Sequence, residues 1–96
     1  MVTDLHRCDE ALRQVERAEE LLIYSGDRSN RCRYRVEALT GAATAYGSAD
    51  GHLQHVRLPC PKNRDFSALR VRRLEQRFKD AEQGVLYDCF PISTQR

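Results

Sequence analysis

No run of about eighteen apolar residues occurs in this 96-residue chain, so no segment reads as a membrane-spanning helix. The opening Met1-Val2-Thr3-Asp4-Leu5-His6-Arg7 lacks the apolar core of a signal peptide, and a cytoplasmic protein without membrane contact is the expectation. No C-x-x-C pair is present, which removes the usual zinc and thioredoxin-type patterns. G-x-S-x-G, G-x-x-x-x-G-K, H-E-x-x-H and G-x-G-x-x-G are all missing, so no enzyme class with a short signature is indicated. Lysine is scarce: of sixteen cationic side chains fourteen are Arg.

What is there fits one domain spanning residues 1–96, since 41% hydrophobic content in so short a chain builds a single core. Four cysteines stand at 8, 32, 60 and 89. In a reducing compartment they read as buried thiols; in an oxidising one they allow two bridges with three possible connectivities. Residues 1–25 carry three Arg against six acids, whereas the remainder is net basic.

Residues 4–24 read as an amphipathic helix, with Leu5, Cys8, Ala11, Leu12, Val15, Ala18, Leu22 and Ile23 in one arc and Gly26 as its stop. Glu19 is the one acid inside that arc. Residues 31–39 alternate, placing Cys32, Tyr34, Val36 and Ala38 on one side and Arg31, Arg33, Arg35 and Glu37 on the other, which predicts a half-buried strand with a cationic outer face. A weak strand over Ala42 to Gly47 follows, then a hairpin turn at Asp50-Gly51 and a strand from His52 to Leu58 closed by Pro59 and Pro61. Asp65 to Gln83 reads as a second helix, with Ser67, Val71, Leu74, Phe78 and Ala81 as its apolar stripe and Gly84 as its stop. Val85 to Phe90 is the last predicted strand. The expected fold is α+β in the order α-β-β-β-α-β, two helices on an antiparallel sheet.

His52 and His55 lie on opposite faces of the predicted strand, which argues against chelation, and Cys60 lacks an orienting partner for nucleophilic chemistry. No catalytic residue, metal ligand or cofactor is assigned. The surface carries the functional reading instead. Arg70, Arg73 and Arg77 form a ridge on the second predicted helix, and Arg31, Arg33 and Arg35 form a cationic strand face. Arginine pairs well with carboxylates at interfaces, so the expected function is protein binding without catalysis, against a host protein or complex with an acidic surface. As a category, a small chain of this kind resembles phage- or mobile-element-encoded inhibitors such as anti-CRISPR proteins, and small adaptors. The alternative is nucleic-acid binding through the same arginines with Tyr34 or Tyr46 stacking on bases, although the sequence pI of 8.4 is below the value above about 9 usual for such domains. A monomer, or a homodimer paired through a sheet edge at Ala42 to Gly47, is expected.

Overall fold

The computed structural model describes residues 4–56, 60 and 68–90, and all of its regular structure is helical. Helix α1 spans Asp4–Gly26, α2 spans Cys32–Gln54 and α3 spans Ala68–Cys89. The expected α+β fold is therefore corrected: among the described residues there is no strand, and the predicted strands 31–39 and 42–47, with the start of the predicted strand 52–58, fall on the single helix α2, of which Arg31 is the N-cap and His55 the C-cap. The predicted strand 85–90 falls on the last part of α3, which ends at Cys89 just before Phe90, so Gly84 does not stop that helix. The predicted stop at Pro59 and Pro61, the predicted helix start at Asp65 and the stripe residue Ser67 lie outside the described residues.

One spacing explains all three helices. The buried residues of α1 are Cys8, Ala11, Val15, Ala18, Leu22 and Ser25, and those of α2 are Arg35, Ala38, Ala42, Ala45 and Ala49. In α3, Leu74 and Val85 are buried, and Val71, Phe78 and Ala81 pack against the core from the same face. Steps of three and four alternate throughout, the seam of helices packed nearly along one another. The helices alternate in direction. Gly41 of α2 faces Leu21 of α1, and Cys32 at the start of α2 is bonded to Cys89 at the end of α3. A three-helix bundle results, with a core shared by Val15, Ala18 and Leu22, by Ala42, Ala45 and Ala49, and by Leu74.

The α2 contribution to that core is almost entirely alanine, which lets α1 come close. A Cβ at Gly41 would stand 3.1 Å from Leu21 Cδ1. The short side chains that permit this approach also limit how much apolar area each α2 core residue removes from water. Helix α2 is also intrinsically weak. It holds Gly41, Gly47 and Gly51, and the hydroxyls of Thr40 and Thr44 donate back to the carbonyls of Val36 and Thr40, each at 3.1 Å. Gly47 is exposed and a Cβ there meets nothing within 4 Å. Gly47→Ala is expected to raise stability by about 0.5–1 kcal/mol, read as a higher urea midpoint at unchanged slope.

Two disulfides pin the bundle, Cys8–Cys60 and Cys32–Cys89. Of the three connectivities open to the sequence, this is the interleaved one. It leaves no free cysteine, so the reading of the four as buried thiols gives way to that of two bridges. The proposed pairing of two copies through a sheet edge at Ala42 to Gly47 also falls away, because Ala42 and Ala45 are buried against α1 and α3.

Candidate docking end

The end of the bundle where α1 finishes, α2 begins and α3 finishes is built around a buried cation. Arg35 is 2% exposed. Its Nε donates to the Ser25 carbonyl at 2.7 Å, its Nη2 to Asp88 Oδ2 at 3.0 Å, and its Nη1 lies 3.9 Å from Cys89 Sγ. The Ser25 carbonyl is one of the last four of α1, which have no partner within their own helix, and Arg35 supplies one from α2. Placing a guanidinium at the negative ends of α1 and α3 also satisfies both helix dipoles. Asp88 Oδ2 takes a second cation, Arg28 Nε at 3.2 Å, from the connection between α1 and α2. Arg35 thus joins all three helices a few residues from the Cys32–Cys89 bridge.

The connection itself is locally determined. Asp27 Oδ1 accepts from the Ser29 backbone N–H at 2.9 Å and from its hydroxyl at 2.7 Å, which holds the Asp27 carboxyl below its ordinary range. Asn30 donates from Nδ2 to the Tyr24 carbonyl at 3.0 Å. Arg31 then caps α2 in an extended conformation, φ −67° and ψ 143°, and its carbonyl accepts from Tyr34 and Arg35.

Around this fixed base the surface is unusually apolar. Seven large hydrophobic side chains are exposed among the described residues, and six stand at this end: Ile23, Tyr24, Tyr34, Leu86, Tyr87 and Phe90. Tyr87 is 67% exposed and Ile23 65%. Tyr24 and Tyr34 border an open groove between α1 and α2 of about 340 Å³, floored by Leu21 and Gly41 and edged by Arg17 and Glu37. Arg28 and Arg33 are exposed beside them; Arg33 lies 5.9 Å from the Tyr34 ring centre and 3.6 Å from Glu37. Arg31 is exposed and has no ion-pair partner among the described residues.

The arginines singled out in the sequence divide. Arg31 and Arg33 face solvent at the docking end, whereas Arg35, expected on the same outer face, is the buried one. Arg31 is the extended N-cap and not part of the helix, and Arg33 and Arg35, two residues apart at about 100° each, fall on opposite sides of α2. Arg70 and Arg77 do form one ridge on α3, but it is turned onto α1. Glu19 accepts from Arg70 Nη2 at 2.6 Å and Nε at 3.1 Å, with Arg77 Nη1 at 3.6 Å. Those two arginines hold α1 to α3. Arg73 is exposed.

His52 lies in the last turn of α2 and His55 at its C-cap, not on opposite faces of a strand. Nδ1 of His52 is buried without a partner. No group of three His, Cys, Asp or Glu side chains converges among the described residues. A second groove of about 340 Å³ runs between α2 and α3, lined by Ala43, Tyr46, Glu75, Phe78, Lys79 and Glu82. There burial, then the carboxylates of Glu75 and Asp50, push the Tyr46 phenol above its usual range. No helix among the described residues is long and apolar enough to cross a membrane.

The sequence reading missed Ile23, Tyr24, Leu86, Tyr87 and Phe90 as surface residues. The signal for two of them lies in the heptad itself: once 71, 74, 78, 81, 85 and 88 form the inner stripe, Leu86 and Tyr87 fall outside it. Neither a protein-family model, nor a curated protein, nor a solved structure matches this chain.

Proposed function

We propose that the protein is a non-enzymatic protein-binding module whose docking surface is the aromatic and arginine-bearing end of the bundle, and that its partner is an acidic segment or patch of another protein. The observation that carries this reading is the gathering of six exposed large hydrophobics at one end, interspersed with exposed Arg28, Arg31 and Arg33. Tyr and Arg are enriched at the energetic centres of protein interfaces, and rigid aromatic anchors lose little entropy on binding. Exposed guanidiniums supply the charge complementarity toward carboxylates. The disulfide and the buried Arg35 network hold these side chains on fixed helices, which favours binding by pre-organisation.

Two bridges support work in an oxidising compartment rather than the cytoplasm. Within the binding class, an inhibitor or adaptor directed at a host complex outside reducing conditions accommodates them. Nucleic-acid binding through the same end is the rival outcome.

A display library of random peptides panned on the oxidised protein tests the reading. Expected are enriched peptides with clustered Asp and Glu, whose binding is lost by at least about tenfold in Tyr34→Ala/Tyr87→Ala and kept in Arg73→Ala. Both variants should melt within a few degrees of the parent, since these side chains are exposed. Peptides without acidic character, or equal loss in Arg73→Ala, would overturn it. A mobility shift with a single-stranded oligonucleotide at low salt, abolished by the same tyrosine changes, would favour the rival.

A further inference from the structure

We propose that Cys32–Cys89 is a thiol-exchange site, opened by an external thiolate attacking Cys32 with Cys89 as the leaving group. Both halves of the bridge are differentiated by their surroundings. Cys32 is exposed and is the first residue of α2, at the positive end of that helix dipole. An incoming anion is drawn there, where exposed Arg31 and Arg33 flank it in the chain. Cys89 is half-buried, with the Arg35 guanidinium 3.9 Å from its sulfur. The helix dipoles by themselves favour a thiolate at Cys32 over one at Cys89, so access decides the direction: an external thiolate reaches the exposed Cys32, and the Arg35 contact is what supports the thiolate leaving on Cys89. The carboxylates of Asp88, shared between Arg35 and Arg28, and of Asp27, on which Arg35 also acts, balance the two cations, so Arg35 acts on Cys89 as a local contact and not through a net positive field. Cys8 of the other bridge is buried, 3% exposed.

The step balances without a further oxidant. A thiolate, from a low-molecular-weight thiol or another protein, donates an electron pair to Cys32 Sγ and forms a mixed disulfide. The Cys32–Cys89 bond breaks, and its electron pair leaves on Cys89 as a thiolate beside Arg35. A second thiolate that attacks the external sulfur of the mixed disulfide releases Cys32. Two external thiols are thereby oxidised to one disulfide and the protein bridge is reduced by two electrons, the thiol protons passing to solvent.

Glutathione is the probe. The oxidised full chain is incubated with the reduced tripeptide, quenched at intervals by acid and alkylation, and mapped by mass spectrometry. Cys32–Cys89 should open at least about tenfold faster than Cys8–Cys60, with the first glutathione adduct on Cys32 and alkylated Cys89 opposite it. Adducts predominantly on Cys89, or equal opening of the two bridges, would overturn the proposal. In Arg35→Met the preference for Cys32 should fall; if that variant does not fold, the position of the adduct in the parent still decides. Asp88→Asn, which strips the offsetting carboxylate, should accelerate opening of Cys32–Cys89 with Cys8–Cys60 unchanged, and a slower rate counts against the assignment.

Discussion

Replacing Cys32 and Cys89 together by serine should cost about 4 kcal/mol, the chain-entropy value for a bridge closing a loop of this length. The sequence separation is 57 residues, and 52 for the other bridge. At about 4–8 °C per kcal/mol for a domain of this size, the melting midpoint followed by circular dichroism should fall by roughly 15–30 °C. Reducing both bridges should leave no cooperative transition at 37 °C. The expectation rests on the core. Alanines at 38, 42, 45 and 49 bury little area, and α2 carries three glycines, so neither packing nor helix propensity compensates for a lost crosslink. A drop of under about 5 °C on full reduction would mean that the helices hold together by packing alone.

Arg35→Ala is the second large effect, a loss of about 3–5 kcal/mol in urea unfolding. Removing this side chain leaves the Ser25 carbonyl buried without its donor and takes from Asp88 its buried cation. Arg33→Ala, two residues away, should change stability by no more than about 0.5 kcal/mol, because the Arg33–Glu37 pair is exposed at both ends and held at 3.6 Å. Equal effects of the two substitutions would contradict the placement of Arg35 at the junction of the three helices.

The contrast between Arg33 and Arg35 also shows where the sequence was readable. Helix α1 was legible because its apolar positions carry Leu, Val and Ile against a charged opposite face. Helix α2 was not, because its inner stripe is Arg35 followed by alanines, a pattern with almost no hydrophobic contrast. Without that contrast, the local alternation of Arg31, Arg33 and Arg35 read as a strand. The pairs Asp50-Gly51 and Glu82-Gln83-Gly84 carry turn chemistry, yet tertiary packing continued the helices through both glycines. Glu19 was legible as an oddity, an acid within an apolar arc, and the structure supplies its reason in Arg70 and Arg77. The docking end could not be located, since it is formed by termini of three helices brought together by a cysteine pairing that spacing alone does not choose.

That pairing underlies the stability, the fixed geometry of the docking end and the exchange chemistry alike, and trypsin separates all four cysteines into different peptides: 8–13, 32–33, 58–62 and 80–96. The decisive measurement is a non-reducing tryptic map of the natively produced protein, alkylated before digestion. Peptide 8–13 should be linked to 58–62 and peptide 32–33 to 80–96, with no alkylated cysteine. A link between 8–13 and 32–33 or 80–96, or four alkylated thiols, would contradict the account.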